Sequence, residues 1–240
     1  MNSNYLEIKN EENNLNFNTA LNLYKNSFSH QDLINFLKNG SVVEKQVSAL
    51  KLEKITSTSD AETLVSNLTG QDGKIREAVS FKLKEFSQNQ EFINYFHNQF
   101  TYDTLLDAVI DINGNICRNV ISVICNLKNN IEFCNYFCPK LSKLTMNLLE
   151  KIKEFNIQDG KYKVNKEVFK LYWCLETIYH LYDKFDIQSL KCILYSTKNI
   201  EDYTIREKTA KILTKNFNDE LLTKIRIELK NDKNYYVRRF

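Results

Sequence analysis

A six-residue segment occurs twice in this chain. Glu91-Phe92-Ile93-Asn94-Tyr95-Phe96 returns 41 residues later as Glu132-Phe133-Cys134-Asn135-Tyr136-Phe137, with five of the six positions identical. Self-similarity at a period of about 20–50 residues marks a repeat architecture, in which one supersecondary unit cannot bury its apolar face alone and neighbours must stack to do so. The glycines carry the same rhythm. Gly40, Gly73, Gly114 and Gly160 are separated by 33, 41 and 46 residues, and each is followed by apolar residues at helical spacing.

Those spacings can be read position by position. Ile75, Ala78, Val79, Leu83 and Phe86 follow Gly73, and Ile116, Val120, Ile124 and Leu127 follow Gly114. Each set falls on one face of a helix of 3.6 residues per turn. After Gly160 the stripe is longer, running through Val164, Val168, Leu171, Leu175, Ile178, Tyr182 and Phe185. A helix also precedes each turn, through Leu33-Ile34-x-x-Leu37, Leu64-Val65-x-x-Leu68, Leu105-Leu106-x-x-Val109 and Leu221-Leu222-x-x-Ile225. Period-two alternation is never sustained, so no strand is expected. The chain's five glycines and single proline agree, because a turn-dense β chain needs many of both. All five glycines, Gly70 included, are expected in the turn between two helices, where a left-handed residue ends a helix at little cost.

The second helix of each pair opens in a common way. Asp72-x-x-Ile75-Arg76, Asp202-x-x-Ile205-Arg206 and Asn234-x-x-Val237-Arg238 place a capping side chain three residues before an aliphatic and four before an arginine; Asn113-x-x-Ile116-x-Arg118 is a variant one residue longer. Four of the six arginines stand here. Asp and Asn at the first position accept hydrogen bonds from the unpaired amides of the first turn.

At these residues the chain resembles the HEAT and armadillo families of α-solenoids. The Asp-aliphatic-Arg opening is similar to that of the inner HEAT helix, while Glu91–Phe96, Leu105–Ile110 and Asn119–Leu127 resemble the three helices of an armadillo unit. The resemblance covers about residues 29–240 and implies an all-α, right-handed superhelical stack of about five helical hairpins, laid out as 29–57, 60–88, 90–128, 130–186, 187–217 and an incomplete last unit from 218. Residues 1–18 read as a polar N-terminal tail and 19–240 as a single repeat domain. The fourth unit carries a charged insertion near Glu150–Lys163.

Chemistry-bearing motifs are sparse. The net charge is +3, carried by residues 201–240 with ten basic and seven acidic side chains, which is no nucleic-acid footprint by itself. No apolar run is long enough for a signal peptide or a membrane span, so an intracellular, cytoplasmic protein with reduced cysteines is expected. Cys134-x-x-x-Cys138 lacks the third and fourth ligands of a structural zinc site. His30, His97 and His180 are scattered among the repeats, and Gly70-Gln71-Asp72-Gly73-Lys74 lacks the context of a phosphate loop. No catalytic residue, metal or cofactor is expected.

The expected function follows from shape. A solenoid offers an extended concave surface suited to a protein or peptide, and the non-enzymatic reading is a scaffold or adaptor. Its contact residues would be Arg76, Arg118, Asn119, Ser122, Asn126, Lys166, Lys170, Trp173 and Arg206. The repeated cations Lys45, Arg76, Arg118, Lys166 and Arg206 would form a row along one edge, either bonding to an Asp of the next unit or binding an acidic ligand. Trp173, the sole tryptophan, is expected between adjacent repeats or exposed for stacking. The Trp-Asn ladder of nuclear-import armadillo proteins is absent. The rival reading is a nucleic-acid-binding protein resembling HEAT-like DNA glycosylases, with Trp173 and Glu176 one helical turn apart. An open last unit would also permit end-to-end self-association.

Overall fold

The computed structural model describes residues 3–154, 161–215 and 217–240. Among them every regular element is helical. Contacts group the chain into two compact units, residues 1–104 and 105–240, where the repeats had suggested one array.

In the first unit, α1 (Ser3–Lys25) precedes the hairpin of α2 (His30–Asn39) and α3 (Val42–Lys51), then that of α4 (Thr58–Val65) and α5 (Gly73–Ser87). The short α6 (Gln90–Ile93) and a 3₁₀ turn (Asn94–Phe96) follow, and the division between units falls within α7 (Gln99–Ala108). The second unit contains α8 (Gly114–Leu127), α9 (Ile131–Glu154), α10 (Lys161–Leu181), a 3₁₀ turn (Tyr182–Lys184), α11 (Ile187–Thr197), α12 (Tyr203–Ile212), α13 (Glu220–Lys230) and α14 (Tyr235–Arg238). Like helices stack on like: α2 on α4 and α3 on α5 in the first unit, α9 on α11 on α13 and α8 on α10 on α12 on α14 in the second. The helix pairs lie close to the repeat limits expected from the sequence, except that the expected unit 90–128 spans the division at residue 104.

The motif aliphatics anchor the layers. Ile75, Ile116, Ile205 and Val237 are all buried, as are the stripes that follow Ile75 and Ile116. Burying each such side chain is worth about 1.5–3 kcal/mol of transfer free energy, and deleting one leaves a cavity between stacked helices.

Local chemistry sets the helix ends differently from expectation at several places. Gly70 alone of the described glycines is left-handed, at φ +69°. Gly73 and Gly114 are the first residues of α5 and α8 instead of turn residues, because Asp72 and Asn113 before them act as caps. Gly40 is extended, and a methyl group there would stand 2.5 Å from the Phe36 carbonyl oxygen. Residues 155–160 of the charged insertion, Gly160 included, lie outside the described residues. The long stripe after it breaks at Leu181, so Tyr182 and Phe185 leave the helix.

The boundary placed at residue 18 falls inside a single helix. α1 runs through it and packs on α3, where Lys51 Nζ donates to the carbonyls of Leu23 (2.9 Å), Tyr24 (3.1 Å) and Asn26 (2.6 Å). A lysine at the C-terminus of a helix satisfies its last carbonyls and opposes the negative end of the dipole.

The duplicated hexapeptide folds in two ways. Its first copy makes α6 and the 3₁₀ turn, since Asn98 then caps α7 by accepting from Thr101 N (2.8 Å). The second copy forms the opening turns of the 24-residue α9, which continues through Pro139. Burial matches at two positions, Ile93 and Phe96 in the first copy and Cys134 and Phe137 in the second, but Phe133 is buried where its counterpart Phe92 is half-buried.

Candidate functional site

The site grows out of the helix openings. The four expected caps are present: Asp72, Asn113, Asp202 and Asn234 accept from the backbone amides of Lys74 (2.8 Å), Asn115 (2.9 Å), Thr204 (2.8 Å) and Tyr236 (2.9 Å). What the residue four positions after the cap then does separates the helices.

Three arginines at that position fold back on the loop before their own helix. Arg76 Nη1 donates to the Gln71 carbonyl, and Arg238 Nη1 donates to those of Lys233 (3.0 Å) and Asp232 (3.3 Å). Arg206 Nη1 donates to Ile200 (2.7 Å) and Glu201 (2.6 Å), while its Nε and Nη2 pair with the two carboxylate oxygens of Asp232 at 2.7 and 3.2 Å. Arg206 is 6% exposed. These guanidiniums satisfy loop carbonyls that have no helical partner. The Arg206 bond pulls the Asp232 carboxyl below its usual range, against burial.

In α8 the same position holds Cys117. Its thiol donates to the Asp111 carbonyl at 3.2 Å, six residues back, as Arg206 does to Ile200. Burial first, and then the Asp111 charge, push this thiol up to about 12, so it stays a protonated donor. Cys134 repeats the device in α9, four residues after the capping Asn130, donating to Lys128 O at 3.1 Å. Arg118 is thereby displaced by one residue, a rotation of about 100° around the helix. It is exposed; Nη1 donates to Asn115 Oδ1 at 2.8 Å, and the guanidinium lies 5.6 Å from the ring centroid of Trp173.

Arg118 and Trp173 line a cavity of about 790 Å³ between α8, α10 and the start of α12. Phe169 and Tyr172 add aromatic walls, with Phe169 and Tyr172 edge-on to Trp173 at 6.0 and 5.3 Å. Trp173 is 6% exposed, and its buried Nε1 has no hydrogen-bond partner among the described residues. The opening glycine of α8 makes room for the indole, because a methyl group on Gly114 would come within 3.2 Å of Trp173 Cζ2.

Two carboxylates in the cavity wall have partners, Glu176 through both oxygens and Asp202 through Oδ1 alone. Asp202 accepts from Thr204 N (2.8 Å) and Thr204 Oγ1 (2.6 Å). Glu176 meets Lys208 Nζ, Lys211 Nζ at 3.2 Å and His180 Nε2 at 3.7 Å. Burial alone would raise the Glu176 carboxyl, but the His180 and Lys208 bonds and the lysine charges outweigh it and hold it far below the usual carboxylate range. His180 is raised to about 9 by its contacts with the Cys125 sulfur and with Glu176, against burial. The lysines also lie over α10 rings: Lys208 over Tyr172 at 4.4 Å, Lys211 over Tyr179 at 4.2 Å and Lys215 over Tyr179 at 4.2 Å. Such pairs, worth about 0.5–1 kcal/mol each where exposed, zip α12 to α10.

No family model matches the chain, and no curated protein does. Among solved structures it is similar to the designed armadillo repeat protein YIII(Dq)4CqI, at 15% identity over 88% of this chain and 96% of that one, with a TM-score of 0.45. Two engineered proteins are comparable: 18% identity over 89% and 95% of the two chains with a TM-score of 0.46, and 13% over 89% and 93% with 0.45.

The residues expected to bind a partner are thus divided. Arg118 and Trp173 meet in one cavity. Lys166 is exposed on α10, Lys170 is paired with Glu167 at 2.7 Å, and Asn119, Ser122 and Asn126 are half-buried on α8. Arg76 belongs to the other unit, where it bonds to its own loop. Arg206 presents no guanidinium to a partner, since burial and Asp232 consume it. The expected row of cations is therefore broken by spent members. Phe169, Tyr172 and His180 were not anticipated; Phe169 stands four residues before Trp173, a spacing that places both on one helix face.

Elsewhere, His30 Nε2 contacts both Asp60 Oδ2 (2.9 Å) and Thr56 Oγ1 (3.3 Å). Both contacts use one ring nitrogen, which makes a tether and not a proton relay. Among the described residues no three His, Cys, Asp or Glu side chains gather as a metal site, and no helix is long and apolar enough to cross a membrane.

Proposed function

We propose that the chain is a non-enzymatic interaction scaffold whose α8–α10–α12 cavity receives a segment of a protein partner. The carrying observation is that Arg118, alone of the four motif arginines, is exposed beside an aromatic-walled cavity while its counterparts bond to their own loops. A concave site with apolar walls and a few placed polar groups is the usual form of a recognition pocket. The six free cysteines suit a reducing cytoplasm.

The rival reading, a nucleic-acid enzyme of the HEAT-like glycosylase kind, draws on Trp173 and Glu176 lining one cavity. Its chemistry would need an available carboxylate and an exposed stacking face. Glu176 is held by Lys208 and Lys211, and Trp173 is buried.

Proximity labelling with wild type, Arg118→Glu and Trp173→Phe tests the scaffold reading. The expected result is a set of partners lost with Arg118→Glu and retained with an Arg239→Glu control. If neither cavity variant loses a partner while both stay folded, the reading fails.

A further inference from the structure

The charge and hydrogen-bond accounting of the cavity specifies what it can hold. Trp173 Nε1 is a buried donor without an acceptor among the described residues, and such a group costs about 1–3 kcal/mol until it is satisfied. Arg118 holds five potential donors in a planar fork, and its hydrogen bond to Asn115 is to a neutral amide. Both groups ask for acceptors. Of the nearby carboxylates, Glu176 is held by two lysines and His180, and Asp202 gives Oδ1 to its own helix start.

Resting on the scaffold reading, we propose that this cavity binds an acidic side chain of an extended peptide, one carboxylate oxygen accepting from the Arg118 guanidinium and the other from the Trp173 indole N–H. An apolar neighbour of that acidic residue packs on Phe169, which is 37% exposed at the rim. A basic peptide would meet the Arg118 cation at the cavity mouth, where Glu176 is already neutralised by two lysines and His180. A phosphate backbone needs several cations in a row to release its counterions, and the motif arginines that would extend the row are spent on loop carbonyls. The indole N–H is buried in this structure, so binding requires the cavity wall around Trp173 to open as the exposed Arg118 side chain moves.

The sole tryptophan makes the test direct, since the full chain carries one indole N–H resonance. The probe is the blocked tripeptide N-acetyl-Phe-Asp-Leu-amide, titrated into ¹⁵N-labelled protein beside its Asn analogue. The expected result is a saturable downfield movement of the indole proton by the acidic peptide. Affinity should be about tenfold weaker for the Asn analogue, and equally weaker for the acidic peptide with Arg118→Gln, the size of one charge-assisted bond. Equal binding of both peptides overturns the inference while leaving a peptide-binding cavity. No movement with either overturns it too; the scaffold reading then stands only if heptapeptides selected on the full chain displace the same resonance without an acidic residue. A thymidine oligonucleotide that moves the resonance when the peptides do not overturns both.

Discussion

The openings of α8 and α12 are built on one plan and put to different uses. Each starts with a capping side chain, each buries an isoleucine three residues later, and each sends a donor from the fourth residue back to a carbonyl six residues earlier. In α12 that donor is Arg206, whose guanidinium also holds Asp232 across to the turn before α14. In α8 it is Cys117, a smaller group with one bond to give. A cysteine releases the loop from needing an arginine, and the arginine one residue later is left at the mouth of a cavity. The cation in one repeat is a fastener, and in the other it is a contact.

Removing the fastener should have the largest effect. Arg206→Gln leaves Asp232 without its charge partner and two loop carbonyls short of a donor, and loss of one member of a buried pair costs about 3–5 kcal/mol. Denaturant unfolding would show it as a lower midpoint with unchanged slope. A loss below about 1 kcal/mol would mean that Arg206 is dispensable to the stack. The same pair predicts acid sensitivity. Asp232 is held below its ordinary value, so its contribution is complete above about pH 4 and declines as pH falls through the lowered value; Arg206→Gln should remove that slope.

The opening glycines sharpen the contrast further. Gly73 and Gly114 both stand first in their helices, but a methyl group on Gly73 meets nothing within 4 Å, whereas on Gly114 it meets the buried Trp173. Gly73→Ala should therefore stabilise by about 0.5–1 kcal/mol by restricting the unfolded chain. Gly114→Ala should instead destabilise by about 1 kcal/mol, since packed neighbours must shift, and should move the tryptophan emission. Equal effects of the two changes would separate Gly114 from the cavity.

Smaller is the contribution of the Glu176 cluster to pH dependence. His180 keeps its proton to about pH 9 in the folded protein against an ordinary 6.5. Its stabilisation is complete below about pH 6.5 and fades as pH rises toward 9. A thermal-melt series should show that decline in wild type and a flatter profile in His180→Gln. A profile identical in both would exclude His180 as its source.

Much of this architecture is legible in the sequence, because it is local. Caps, apolar stripes and hairpin limits depend on residues within a turn or two of one another, and Asp72, Asn113, Asp202 and Asn234 all act as their spacing implies. The fate of the arginines was less accessible. Arg118 is visibly one residue out of step, yet that step matters only because Cys117 takes over the loop bond. Glu176 was hidden for another reason: its lysine partners lie 32 and 35 residues away. The two hexapeptides show the same limit, since Asn98 starts a new helix after one copy while the other continues as α9 through Pro139.

The release of Arg118 from structural duty is tested most directly by chemical denaturation of Arg118→Gln. The account predicts a stability within about 0.5 kcal/mol of wild type, as for an exposed side chain outside any buried network. A loss of 2 kcal/mol or more, approaching that expected of Arg206→Gln, would show that Arg118 fastens the stack like its counterparts and would contradict it.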